Sequence, residues 1–191
     1  MTQSLFAGST NYTSQTLAHM VKDLKNFITF VDDTTKSIAE NVQRLETANY
    51  WATVPQDFRM LIEYTINWFG KTALSDMRQI LRDLPAGVRE NHVRRLQAIG
   101  KQAIQLNRDY GKVWHQDYGH KDYDSPEFRV VETLYKDGRG MMTTLMDMDN
   151  LAVRLEDFID ATPWYKRWWI IGPWLLGVIG GIIAIVQLFL S

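Results

Sequence analysis

An all-α fold, an antiparallel bundle of four long helices followed by one C-terminal transmembrane helix, is predicted by three features of this 191-residue sequence. Apolar residues recur in steps of three and four along four successive stretches, the signature of amphipathic helices. Short breaks rich in proline, glycine or polar residues separate the stretches. Charged residues stop at Arg167, and the tail beyond it carries no Lys, Arg, Asp or Glu.

The first helix is expected over Thr13 to Ala48. Leu17, Leu24, Val31, Ile38 and Leu45 stand seven apart, and Met20, Phe27, Thr34, Asn41 and Ala48 form a companion row. Val21, Ile28 and Val42 widen the stripe, so one face has the heptad spacing of a coiled coil. Thr34 and Asn41 read as register-setting or partly exposed positions. After the break NYWATV, Pro55 suits the first turn of a second helix, with the stripe Phe58, Leu61, Ile62, Thr65, Trp68, Phe69, Met77, Ile80, Leu81 and Leu84.

The segment PAG ends that helix. A third stripe follows through Val88, Val93, Leu96, Ile99, Ala103, Leu106, Tyr110, Val113 and Trp114. Beyond the polar stretch HQDYGHKDYD, Ser125 and Pro126 have the chemistry of an N-cap and a first-turn proline. The fourth stripe runs Val131, Leu134, Tyr135, Met141, Met142, Leu145, Met148, Ala152, Leu155, Phe158 and Ile159. Amphipathic helices with short connections bury their faces best as an antiparallel bundle.

The tail from residue 168 to 190 extends about 34 Å as a helix, against about 30 Å for the hydrocarbon core of a bilayer. Only Gln187 would offer it a polar stripe. Trp164, Tyr165, Trp168 and Trp169 surround Lys166 and Arg167, the mixture favoured at a headgroup boundary. With those cations before the span, the positive-inside tendency places residues 1–167 in the cytoplasm. The N-terminus has neither a basic start nor a sustained apolar run, so no signal peptide is expected. The predicted organisation is a flexible N-terminus (1–12), a cytoplasmic bundle (13–160), an interfacial linker (161–167) and a transmembrane tail anchor (168–190).

Up-down-up-down order puts the start of helix one and the RDLPAGVREN turn near the bilayer. There, Arg82, Arg89, Arg94 and Arg95 are expected to approach Asp157 and Asp160 at the end of helix four, or to meet anionic headgroups. Within the tail, Gly177 and Gly181, and Gly180 and Ala184, stand four apart and overlap on nearly one face. Small residues so spaced let helix backbones meet in lipid, and Gln187 can hydrogen-bond across helices. Self-association of the anchor is expected.

Catalytic spacings are scarce. HQDYGHKDYD repeats His-x-Asp-Tyr, and His115, Asp117, His120 and Asp122 are suitable ligand types for a divalent ion. Nothing in their spacing forces convergence, so a polar turn or a partner-binding loop is the simpler reading, and no metal is assigned. The FGKT at Phe69–Thr72 has Thr65 where a phosphate loop needs glycine, and lies within a helical pattern. His19 and His92 stand alone and read as surface or boundary residues. Four of the eight methionines fall in MMTTLMDMDN, as core filling or an adaptable surface. Gly70, Gly100, Gly138 and Gly140 interrupt helices, which fits either close helix approach or a hinge.

A near-balanced formal charge of −1 gives no reason to expect nucleic acid. Without cysteine there are no disulfides or thiolate sites. The sequence thus predicts a non-enzymatic tail-anchored protein without cofactor, whose partners are the bilayer, further copies of itself and an unidentified protein. A membrane-permeabilising effector with clustered C-terminal helices is the alternative, and a metal-dependent enzyme using the His/Asp loop is the third reading.

Overall fold

The computed structural model describes residues 7–119 and 124–161. Regular structure among the described residues is helical throughout and forms four long arms. The first is α1 (Ala7–Thr47). The second comprises α2 (Gln56–Tyr64), a π-helical segment (Thr65–Ala73) and α3 (Leu74–Asp83). The third is α4 (Glu90–Asp117), and the fourth is α5 (Pro126–Leu145) with α6 (Met148–Ala161). The helix α1 begins at Ala7, ahead of the first periodic residue.

Chain chemistry accounts for the arm ends. Asn49 takes φ 56°, the left-handed conformation that asparagine tolerates, and Tyr50 N–H then reaches back to Leu45 O at 2.8 Å. Gly87 sits at φ 128°, a region that side-chain-bearing residues rarely adopt, and turns the chain from the Leu84–Ala86 3₁₀ turn towards α4. Ser125 caps α5 as expected, its hydroxyl oxygen accepting from Phe128 N–H at 3.1 Å, with Pro126 first in the helix.

Adjacent arms run in opposite directions, as the cross-contacts fix. Asp32 of α1 meets Arg78 of α3, whereas Ser37 of α1 meets Asp137 of α5 and Asp23 meets Arg154 of α6. On α4, Arg95 meets Asp76, and Tyr110 meets Thr65. The Leu24, Val31, Ile38 and Leu45 row is fully buried, and so are Phe58, Ile62, Phe69, Leu96, Ile99, Leu134 and Leu155 from the other stripes. Burying each such side chain contributes about 1.5–3 kcal/mol, which makes this shared core the main source of stability.

Two departures from straight helices follow from the buried positions themselves. Along the second arm Thr65, Phe69, Ala73 and Met77 are buried at three consecutive steps of four. A straight α-helix would rotate them progressively off the seam, whereas wider winding keeps them aligned. Leu74 N–H accordingly bonds Phe69 O, five residues back. The fourth arm does the opposite. Met142, Leu145, Met148 and Leu151 are buried at three steps of three, and the chain tightens between α5 and α6, with Asp149 N–H on Met146 O at 3.3 Å. The single fourth helix of the sequence reading is therefore two helices across a tight turn.

Three interrupting glycines sit where arms touch. A Cβ on Gly70 would overlap the Thr35 side chain of α1, and one on Gly100 would lie 3.1 Å from the Asp149 backbone nitrogen, at the α5–α6 turn. On Gly138 a Cβ would lie 2.6 Å from the Tyr110 hydroxyl. Gly140 faces open space, and nothing in the structure explains that glycine.

No helix among the described residues is long and apolar enough to cross a membrane. The stretch 168–190, to which the sequence analysis assigns the span, lies outside the described residues.

Candidate interaction surfaces

Two buried polar groups, Thr65 and Tyr110, bind each other inside the bundle, whereas Arg59 Nε and Asn107 Oδ1 are buried without a hydrogen-bond partner among the described residues. Thr65 Oγ1 donates to Leu61 O at 2.8 Å and is 2.7 Å from the Tyr110 hydroxyl, which therefore donates to Thr65. Burial drives the Tyr110 phenol far above its ordinary range, so it stays protonated. The Phe58 ring packs nearly perpendicular to the Tyr110 ring, with centroids 6.2 Å apart. Asn41 is buried in the companion row of α1, and Thr34 is half-buried there.

His92 corrects an expectation. It is 2 % exposed, not a surface or boundary residue. Its Nδ1 accepts from Arg89 N–H at 3.3 Å while its own N–H reaches Arg89 O at 2.9 Å, a reciprocal cap at the start of α4. Nε2 faces Asp83 Oδ2 at 3.6 Å, which ties the end of α3 to α4. Burial lowers the imidazole's pKa, with Asp83 opposing and Arg89 reinforcing the shift. A lone histidine at a helix start is a signal for such a cap only once the turn before it is known.

The arginine cluster also sorts differently from expectation. Arg95 binds Asp76, with Gln79 Oε1 at 3.1 Å, and so bridges α4 to α3. Arg82, Arg89 and Arg94 are exposed and make no ion pair among the described residues. Arg94 does share a cavity of about 360 Å³ with Glu90, Glu156 and Asp160, which brings the start of α4 and the end of α6 to the same end of the bundle.

At the opposite end an aromatic cluster gathers around the end of α4 and the start of α5. Trp114 stacks on Tyr135 at 4.1 Å and contacts Tyr118 at 4.8 Å, and Phe128 approaches Tyr118 at 5.5 Å. The stretch is not wholly a loop, because α4 continues through His115 to Asp117. Two residues apart on a helix, those side chains do not share a face. His120 and Asp122 lie outside the described residues. No three His, Asp or Glu side chains converge as a metal site among the described residues.

Two grooves and one stripe remain on the sides. Between α1 and α6 a groove of about 440 Å³ is lined by Phe27, Phe30, Asp147 and Asn150, and the Asp23–Arg154 pair at 2.8 Å is part of its wall. Between α1 and α3 a groove of about 500 Å³ is lined by Ile28, Gly70, Leu81 and the cations Lys71, Arg78 and Arg82. On the second arm, exposed Met60 and Tyr64 continue into Trp68, whose ring stacks on Tyr64 at 6.1 Å.

The boundary residues Trp164, Tyr165, Lys166, Arg167, Trp168 and Trp169, and the association face Gly177, Gly180, Gly181, Ala184 and Gln187, lie outside the described residues. No family model, curated protein or solved structure matches the chain.

Proposed function

We propose that this chain is a non-enzymatic, tail-anchored membrane protein whose helical bundle is an oligomerising interaction module on the cytoplasmic face of a bilayer. One observation carries the reading: the chain loses every charge after Arg167, six residues beyond the end of α6 at Ala161. A stretch of that length and composition is stable as a helix in hydrocarbon, where each backbone polar group is satisfied within the helix. Lys166 and Arg167 set the sidedness, and the tryptophans and tyrosine beside them hold the boundary.

The bundle supports the role in two ways. Polar contacts tie neighbouring arms, Thr65 to Tyr110 and His92 to Asp83, and so stiffen the bundle. Its side grooves offer surfaces to partners. Association of tails through Gly177, Gly180, Gly181, Ala184 and Gln187 would hold bundles at high effective concentration, so that weak contacts between them count.

The native chain has no cysteine, so single cysteines placed along 175–187 report contacts in intact membranes. Disulfide-linked dimers peaking at the small-residue face, and lost on replacing Gly177 and Gly181 with leucine, are the expected result. Absence of crosslinks at every tail position would overturn the oligomerising role. The same glycine face supports a second reading, in which clustered tails permeabilise the bilayer. That reading alone predicts that expression depolarises cells and that the double leucine variant does not.

A further inference from the structure

Along the π-helical segment and α3, acids and cations part to opposite sides. Asp76 faces α4 and binds Arg95, and Asp83 faces α4 and meets His92. Lys71, Arg78 and Arg82 stand on the other side, at steps of seven and four, and line the groove against α1. Lys71 bonds only the neutral Asn67 Oδ1 at 2.9 Å, and Arg82 makes no ion pair among the described residues. Arg78 shares Asp32 at 3.4 Å with Lys36, which holds that carboxylate at 2.8 Å and, with Arg78, keeps it below the usual carboxylate range. The groove therefore keeps a net positive wall over a floor that includes the apolar Ile28 and Leu81.

Position adds to chemistry. Arg82 stands two residues before the Leu84–Ala86 turn, at the end of the bundle where α6 finishes. Arg78 lies one turn further and Lys71 about 16 Å from Arg82 along the helix. Lys25 stands exposed one turn from Ile28 towards the same end.

We infer that the α1–α3 groove is a binding site for anionic phospholipid headgroups, which draws this side of the bundle onto the membrane surface. The groove's nearness to lipid rests on the proposed tail anchor, whereas its charge does not. A phosphodiester with a further carboxylate or phosphate matches cations spaced along one wall, and the apolar floor accepts the glycerol and upper acyl carbons. Phosphate contacts by arginine are directional and bidentate, so Arg78 and Arg82 would fix the headgroup while Lys71 adds charge. The cytoplasmic leaflet supplies such lipids and a negative surface potential. Each cation near that surface strengthens the contact about five-fold, from about 1 kcal/mol apiece.

The test uses the full chain carrying Ser75→Cys, an exposed groove position in a chain otherwise free of cysteine, with a spin label attached. The chain is reconstituted into vesicles of phosphatidylcholine alone or of phosphatidylcholine with phosphatidylserine. Anionic vesicles are expected to shield the label from an aqueous paramagnetic relaxant by several-fold. High salt or the triple change Lys71→Gln, Arg78→Gln, Arg82→Gln should abolish shielding, whereas Lys101→Gln with Lys112→Gln on α4 should not. Equal accessibility in both compositions overturns the inference, and so does shielding by inorganic phosphate in neutral vesicles. Flotation separates the two ideas: a chain that floats with both vesicles but shows no shielding retains the anchor and loses the groove. A chain that floats only with anionic vesicles retains the groove and loses the anchor.

Discussion

Gly138 and Gly140 stand two residues apart on α5, yet alanine should act oppositely at them. At Gly138 a Cβ would meet Tyr110 at its hydroxyl, Cζ and Cε1, at 2.6, 2.7 and 2.9 Å, all below the distance real Cβ atoms keep. Tyr110 is fully buried with the Phe58 ring packed perpendicular beside it, so the ring has little room to retreat. Moving it far enough would break the 2.7 Å bond to Thr65. Overpacking of this kind destabilises by about 1–3 kcal/mol, and a stranded buried hydroxyl adds about 1–3 kcal/mol. The gain from replacing a mid-helix glycine offsets about 0.5–1 kcal/mol. The net expectation for Gly138→Ala is a loss of about 1–5 kcal/mol, and for Gly140→Ala, with open space around its Cβ, a gain of about 0.5–1 kcal/mol. Denaturant midpoints of the full chain in detergent, followed by far-ultraviolet circular dichroism, measure both. Adding Tyr110→Phe to Gly138→Ala removes the nearest clashing atom and should recover part of the loss. Equal shifts at the two glycines would refute the packing argument and favour a hinge at this point of α5.

His92 predicts a pH dependence. Its folded pKa lies below the unfolded value, so the unfolded chain binds more protons as the pH falls below about 6.5. Stability is full above that value and declines on acidification until the folded imidazole itself takes a proton. His92→Gln, whose carbonyl oxygen can still accept from Arg89 N–H, should keep the neutral-pH midpoint and flatten its slope between about pH 7 and pH 5. Ser125→Ala removes the acceptor of Phe128 N–H and should lower stability by about 1 kcal/mol in the same denaturation assay.

The four arms and most seam residues are legible in the sequence because burial in a bundle enforces a period. The heptad row of α1, the Ser125–Pro126 start and the stripes of the other arms were set by local chemistry that a sequence displays. What escaped was local rewinding. Ala73, Leu74 and Leu151 are buried because the second arm widens and the fourth tightens, and the stripes drawn at regular spacing passed over all three. Partner choice escaped as well. Arg95, which helix order alone places near Asp157 and Asp160, pairs with Asp76 of α3 across the seam. His92 looked solitary because its partners, Arg89 and Asp83, meet it only after Gly87 has turned the chain. Of the candidate site residues, His115 and Asp117 fall on the last turn of α4, where the change from helix to turn decides which way each faces.

The medium around residues 168–190 decides whether the bundle is anchored. Alkaline carbonate extraction of membranes from cells expressing the full chain tests this directly, because it releases peripheral proteins and leaves spanning helices embedded. The chain should remain in the membrane pellet and pass into solution only with detergent. Recovery of folded full-length chain in the carbonate supernatant would contradict the anchor and with it the cytoplasmic placement of the bundle.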